Sequence, residues 1–211
     1  MKITKYVHSC LLVETPDRIA IFDPGAMSYS AFNINALDKL DDIFITHIHQ
    51  DHLHLPFIQE LVDKFPDVRI TSTKEVVEML KNEGIKASSE APEGVSFFDS
   101  PHENVKPLFP QPEEIGINYL DLLSDPGDSH SFTQTKKILA LPITAPWGGS
   151  IRALNLALDL KPKYIIPIHD WHWSDEARKS TYERFEKVLG KEGITFYKPE
   201  TGQAIEVDTT N

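Results

Sequence analysis

Asp42-Ile43-Phe44-Ile45 followed by Thr46-His47-Ile48-His49-Gln50-Asp51-His52 is the stretch on which the reading of this 211-residue chain turns. A short apolar run bounded by polar residues has the pattern of a buried strand, read here as Asp42 to Thr46. The backbone is expected to be extended from Asp42 to His49, so side chains two apart point the same way and His47 and His49 can aim both imidazoles at one ion. Asp51 and His52 fall where the loop gives way to a helix, so the chain turns there and can present a carboxylate and a third imidazole to a second ion. Imidazole and carboxylate without thiolate suit zinc first, with manganese or iron as alternatives. The competing reading is a polar, histidine-rich surface loop; the apolar strand before the run and the Asp within it tell against that. Ile48 and Gln50 point elsewhere and are read as packing.

Outward from that run, the composition is that of a globular protein, 40% hydrophobic and 25% charged, and the length fits one domain spanning residues 1–211. A domain of this size buries roughly 70% of the surface its unfolded chain exposes, so metal is expected for chemistry rather than for folding. The formal charge is -11, from 21 Lys and Arg against 32 Asp and Glu, with no basic run. Nucleic acid is therefore a disfavoured partner, although a metal pair would itself supply positive charge where a phosphate could sit. Cys10 is the sole cysteine, so no intrachain disulfide can form, and within Cys10-Leu11-Leu12-Val13 it reads as a buried, inert thiol. That apolar stretch is too short for a signal peptide, and nothing approaches the ~18 apolar residues of a membrane span. The expected location is cytoplasmic, and the sequence is silent on oligomeric state.

Periodicity and turn signals predict strands over Lys2 to Val7, Cys10 to Glu14, Arg18 to Phe22, Arg69 to Thr71, Val95 to Phe98, Ile117 to Leu122, Lys137 to Leu141, Tyr164 to Ile168, Ile194 to Tyr197 and Ala204 to Val207. Helices are predicted over Leu55 to Phe65 and Thr73 to Asn82, the latter capped by Gly84, and over Asp175 to Leu189. Another starts at Ser150 as cap, with Ile151, Leu154 and Leu158 on its apolar face. The Pro-rich piece from Pro101 to Pro112 is a loop and a candidate lid. Strands with interspersed helices in both halves, without repeat or linker, point to an α/β chain.

Three further residues with suitable local setting, His102, Asp128 and His169, each follow or end a predicted strand. Together with the opening run, this order resembles the metallo-β-lactamase superfamily, whose pattern is His-x-His-x-Asp-His, then a lone His, then Asp, then a final His. The resemblance covers nearly the whole chain. Pro126-Gly127-Asp128-Ser129 is similar to the family's Gly-Asp-Ser/Thr motif and Ile166-Pro167-Ile168-His169 to its last motif. It implies a four-layer αββα sandwich and two divalent ions. In that scheme His47, His49 and His102 hold one ion, Asp51, His52 and His169 the other, and Asp128 bridges them. His130, two residues past Asp128, is a rival to His102. Asp23, in Asp23-Pro24-Gly25, resembles the family's early Asp that braces the metal-binding loop, with a plain turn as the alternative. His8 reads as a satisfied, partly buried histidine or a proton donor, His54 as a helix-start or surface residue, and His172, between Trp171 and Trp173, as packing or a pocket mouth.

Two adjacent cations lower the pKa of a shared water from ~15.7 toward neutrality, which gives a bridging hydroxide without a protein nucleophile. Asp51 and Asp128 are the catalytic candidates, orienting that hydroxide, with Asp51 also placed to take its proton. No phosphate loop, Gly-x-Ser-x-Gly elbow or dinucleotide fingerprint occurs, so nucleotide-driven, serine-hydrolase and NAD chemistry lack support. The diiron flavoproteins of the superfamily place Glu where His49 stands. The resemblance lies with a small lactonase-like and phosphodiesterase-like branch, which implies hydrolysis of a small ester, lactone or phosphodiester. The alternatives are a non-catalytic metal-binding module and, against the acidic charge, a nucleic-acid-processing phosphodiesterase.

Overall fold

The computed structural model describes residues 1–106 and 110–210. In chain order its elements are β1 (Lys2–Lys5), β2 (Leu11–Glu14), β3 (Ile19–Phe22), α1 (Ala26–Tyr29), β4 (Asp42–Phe44), α2 (Leu55–Lys64), β5 (Arg69–Thr71), α3 (Lys74–Asn82), β6 (Val95–Phe98), β7 (Gly116–Tyr119), β8 (Leu123–Asp125), β9 (Ile138–Pro142), α4 (Ser150–Leu160), β10 (Tyr164–Ile168), α5 (Asp175–Leu189), β11 (Thr195–Phe196) and β12 (Ala204–Glu206). They fall into two compact units: a first of Met1–Glu93, Pro112–Ile115 and Pro199–Asn211, and a second of Gly94–Gln111 and Gly116–Lys198. No described helix is long and apolar enough to cross a membrane.

The first unit is built on a six-stranded sheet of order β12-β1-β2-β3-β4-β5. β1, β2 and β3 are antiparallel neighbours, and β4 and β5 continue parallel to β3. Two antiparallel steps restore direction, so β1, β3 and β4 all run the same way. The loops holding His8, Asp23 and residues 46–52 therefore leave the sheet at the same end. Behind it, α2 buries Phe57, Ile58 and Leu61, and α3 buries Val76 and Leu80, against Ile21, Ile43 and Ile45. α3 begins at Thr73, whose hydroxyl accepts the Val76 N–H, and gives way to Gly84 in the left-handed region (φ 77°).

The second unit has its own six-stranded sheet, β11-β10-β9-β8-β7-β6. β8, β9, β10 and β11 are parallel, while β7 is antiparallel to both β6 and β8. By the same rule β6, β8 and β10 share a direction, so the loops after them, which carry His102, Asp128 and His169, emerge at one end of this sheet. β9 and β10 are buried along their whole length. Ala153 and Ala157 of α4 and Tyr182, Phe185 and Leu189 of α5 pack with Leu139, Leu141 and Ile165.

The structure departs from the sequence reading in several places. The strand predicted over Ile117 to Leu122 ends at Tyr119, because Leu120 and Asp121 both take positive φ (52° and 55°) and turn the chain back into β8, a strand the sequence reading did not predict. α4 is capped by Gly149 without a side-chain bond, and Ser150 is already helical. Ile151 is 71% exposed, so the buried stripe of α4 is carried by the alanines. Gln50 is exposed rather than packed, whereas Ile48 does pack against the first core. Of the Pro101 to Pro112 loop, residues 107–109 lie outside the described residues, and the others form neither helix nor strand.

Candidate metal centre

In the first unit the extended run stops at Phe44, and residues 47–49 form bends rather than strand. His47 and His49 nevertheless converge, with His47 Nε2 3.1 Å from His49 Nδ1. Two ring nitrogens so placed can share one proton or converge on one cation. Ligand atoms of Asp51 and His52 also lie within 4.8 Å of each other. Asp23 holds this loop: its carboxylate accepts the Thr46 N–H at 2.7 Å and the Thr46 hydroxyl at 2.9 Å, and sits 2.6 Å from His52 Nδ1. It does so from a left-handed backbone (φ 45°), a conformation uncommon outside Gly and Asn. Gly25 follows in close contact with the loop. A Cβ there would stand 1.7 Å from the carbonyl oxygen of Asp51.

His47 has a partner that sequence reasoning missed. The side chain of Glu114 is fully buried, with Oε2 3.2 Å from His47 Nδ1. Thr46 Oγ1, which donates to Asp23, is 3.1 Å from the same nitrogen and can accept from it. Ionised carboxylates only accept hydrogen bonds, so Nδ1 carries the proton in His47 and His52, and Nε2 is the candidate ligand atom of each. His8 Nε2 is 2.9 Å from Asp51 Oδ2, again from a left-handed backbone (φ 65°).

In the second unit His102 follows the same rule. Its Nδ1 donates to the carbonyl of Glu103 at 2.6 Å, and its Nε2 faces Asp128 Oδ2 at 3.7 Å. Asp128 Oδ1 is 2.7 Å from His169 Nε2, and Oδ2 accepts the indole N–H of Trp147 at 2.9 Å. His169 stands at φ 64°, and the next residue, buried Asp170, accepts the Tyr182 hydroxyl at 2.5 Å and pairs with Arg178 at 3.1 Å. His130 is engaged elsewhere through one nitrogen: its Nε2 donates to the Pro142 carbonyl at 2.6 Å, and its ring lies against Gly148 and 5.1 Å from that of Trp147. Burial lowers its pKa, outweighing the Pro142 bond that raises it, and keeps it neutral. His172 is exposed, with Trp171 at 5.5 Å and Trp173 at 6.0 Å between ring centroids. His54 caps α2 with no side-chain bond.

The donor set fits divalent metal. Three buried imidazoles have Nδ1 committed to oxygen, the arrangement in which outer-shell acceptors orient metal-bound histidines, and carboxylates of Asp51 and Asp128 lie beside ligand nitrogens of their own units. Glu114, Glu103 and Trp147 escaped the sequence reading because each acts on a residue far away in the chain. A carboxylate inside a Pro-rich loop, or two residues past its end, was the one signal available for the first two.

A family model for the Beta-lactamase superfamily domain matches residues 2–169. The Mycobacterium tuberculosis protein Rv0786c is 27% identical over 199 residues, covering 89% of this chain and 92% of that protein. UPF0173 metal-dependent hydrolase YtkL of Bacillus subtilis is 44% identical over 54 residues, 25% of this chain and 24% of that one. The solved structure of Igni18, a novel metallo hydrolase from Ignicoccus hospitalis, matches 98% of this chain and 99% of its own with a TM-score of 0.71 at 17% identity, a likeness of fold.

Proposed function

We propose, from the premise that this chain belongs to the beta-lactamase superfamily, that it is a metal-dependent hydrolase of a small ester, lactone or phosphodiester. In this reading the two units act as one domain. His47, His49 and His102 hold one divalent ion, Asp51, His52 and His169 hold a second, and Asp128 serves both. Zinc is the first choice on ligand chemistry, with manganese or iron as alternatives. The name of YtkL supports the activity class. The sole cysteine, buried and with its thiol pKa pushed far up chiefly by burial, accords with a cytoplasmic protein but does not require one.

Two bound cations would supply Lewis acidity and a water acidified toward neutral pH. The chain's own residues do the rest. Glu114 and Asp23 fix the tautomers of His47 and His52. Asp51 is placed to accept a proton, and His8, 2.9 Å from its Oδ2, to share it or pass it toward the leaving group. Trp147 fixes one oxygen of Asp128, leaving the other toward His169. His130 Nε2 is engaged by Pro142, which favours His102 as the third ligand of the first ion.

The observation that carries the reading is the shared orientation of His47, His52 and His102, each with Nδ1 against an oxygen acceptor. The test is a panel of phosphodiesters, lactones and thioesters assayed with zinc- or manganese-loaded protein, with Asp128→Asn as control. Turnover by the wild type alone is expected. Metal binding without any turnover would replace the enzyme with a metal-binding module.

A further inference from the structure

Glu103, adjacent to His102, gathers more hydrogen bonds than any simple surface carboxylate requires. Oε1 accepts the His130 backbone N–H at 3.0 Å, the Ser131 hydroxyl at 2.8 Å and Arg152 at 2.7 Å, and Oε2 accepts a second Arg152 nitrogen at 3.0 Å. Its own backbone N–H donates to the Asp128 carbonyl at 3.0 Å. Two residues before His102, the Ser100 hydroxyl donates to the Pro126 carbonyl at 2.7 Å. The His102 loop and the Asp128 loop are thus tied on both sides of their functional residues, and Arg152 anchors the tie to α4.

We propose that Glu103 is a positioning residue that locks His102 and Asp128 into a fixed separation, so that the ion they share is bound tightly. This rests on reading those two residues as ligands. Glu103 offers no atom to the ion; it acts through the Asp128-Ser129-His130-Ser131 backbone. Its side chain is 13% exposed while that of Arg152 is 47% exposed. The ion pair is therefore screened by solvent, whereas the bond from the His130 N–H is partly buried. Burial raises the pKa of Glu103, but Ser131, Arg152 and the His130 N–H outweigh it and hold the group charged. The second unit needs this tie because its ligands come from separate loops. In the first unit one contiguous run carries four candidate ligands, and Asp23 bonds to two of its residues, Thr46 and His52.

The test is zinc titration of the full chain, apo-protein first, for wild type, Glu103→Ala, Glu103→Gln and Arg152→Met, with cadmium NMR to separate a three-histidine site from a two-histidine site. Outer-shell partners of metal ligands are worth ~10- to 100-fold in affinity. Glu103→Ala is expected to weaken the three-histidine site by that factor while the other weakens less and the apo melting temperature stays within a few degrees. Glu103→Gln, which keeps acceptor oxygen, recovers part of the loss, and Arg152→Met shows the smallest effect. Two wild-type ions with unchanged affinities in Glu103→Ala would overturn the lock and leave the site reading intact. Equal loss at both sites with a collapsed melting temperature, judged on Glu103→Gln if Glu103→Ala does not fold, would make Glu103 merely structural. A wild type that binds no zinc would remove both.

Discussion

In the first unit His47, His49, Asp51 and His52 sit on a single loop after β4, pinned by Asp23 and by the close approach of Gly25. In the second, His102, Asp128 and His169 stand on three loops after β6, β8 and β10, each tied by a different partner: Glu103, Trp147, and Asp170 with Tyr182. The same end of a sheet can thus present ligands by local sequence or by long-range contacts. The first way concentrates its sensitivity on one loop and the few residues, Asp23 and Gly25 among them, that hold it. The second spreads that sensitivity over several side chains.

The largest effects should come from the candidate ligands, irrespective of unit. His47→Ala and Asp128→Asn are expected to bring turnover below detection with far-ultraviolet circular dichroism unchanged, since the two apolar cores use neither residue. Retained turnover in either would break the symmetry between the units. Next is Gly25→Ala. Its backbone suits alanine (φ -84°), so the penalty is the collision with the Asp51 carbonyl alone. Overpacking costs about 1–3 kcal/mol, and a chain of this size should melt about 2–12 °C lower with weakened zinc binding.

Asp23→Asn should weaken zinc ~10- to 100-fold through the tautomer of His52; competition with a chromogenic chelator reads this, and an unchanged affinity would make Asp23 a plain turn residue. Tyr182→Phe removes one bond to buried Asp170 and should cost about 1–3 kcal/mol of stability with a smaller change in zinc affinity. The smallest effect is expected at Cys10. Burial raises its pKa and closes it to reagents, so a thiol probe should label the native chain only after denaturant is added.

The difference between the units also explains what could be read from sequence. The run 46–52 was legible because its candidate ligands are contiguous and follow an apolar strand, and Asp128 and His169 because short motifs surround them. The hairpin between β7 and β8 was not, since Leu120 and Asp121 take positive φ without the Gly or Asn that usually signals such a turn. Nor was the face of α4, where alanines are buried and Ile151 is not. The choice between His102 and His130 stayed open because His102 stands in a loop and His130 lies only two residues from Asp128; that His130 Nε2 meets the Pro142 carbonyl is a contact between residues twelve apart in the chain, which no local motif signals.

The most direct test is the zinc content of the full chain after equilibrium dialysis, read by elemental analysis beside the His47→Ala and Asp128→Asn double variant. The account predicts two ions per wild-type chain and none tightly held by the variant. Fewer than two in the wild type, or two retained by the variant, would contradict it.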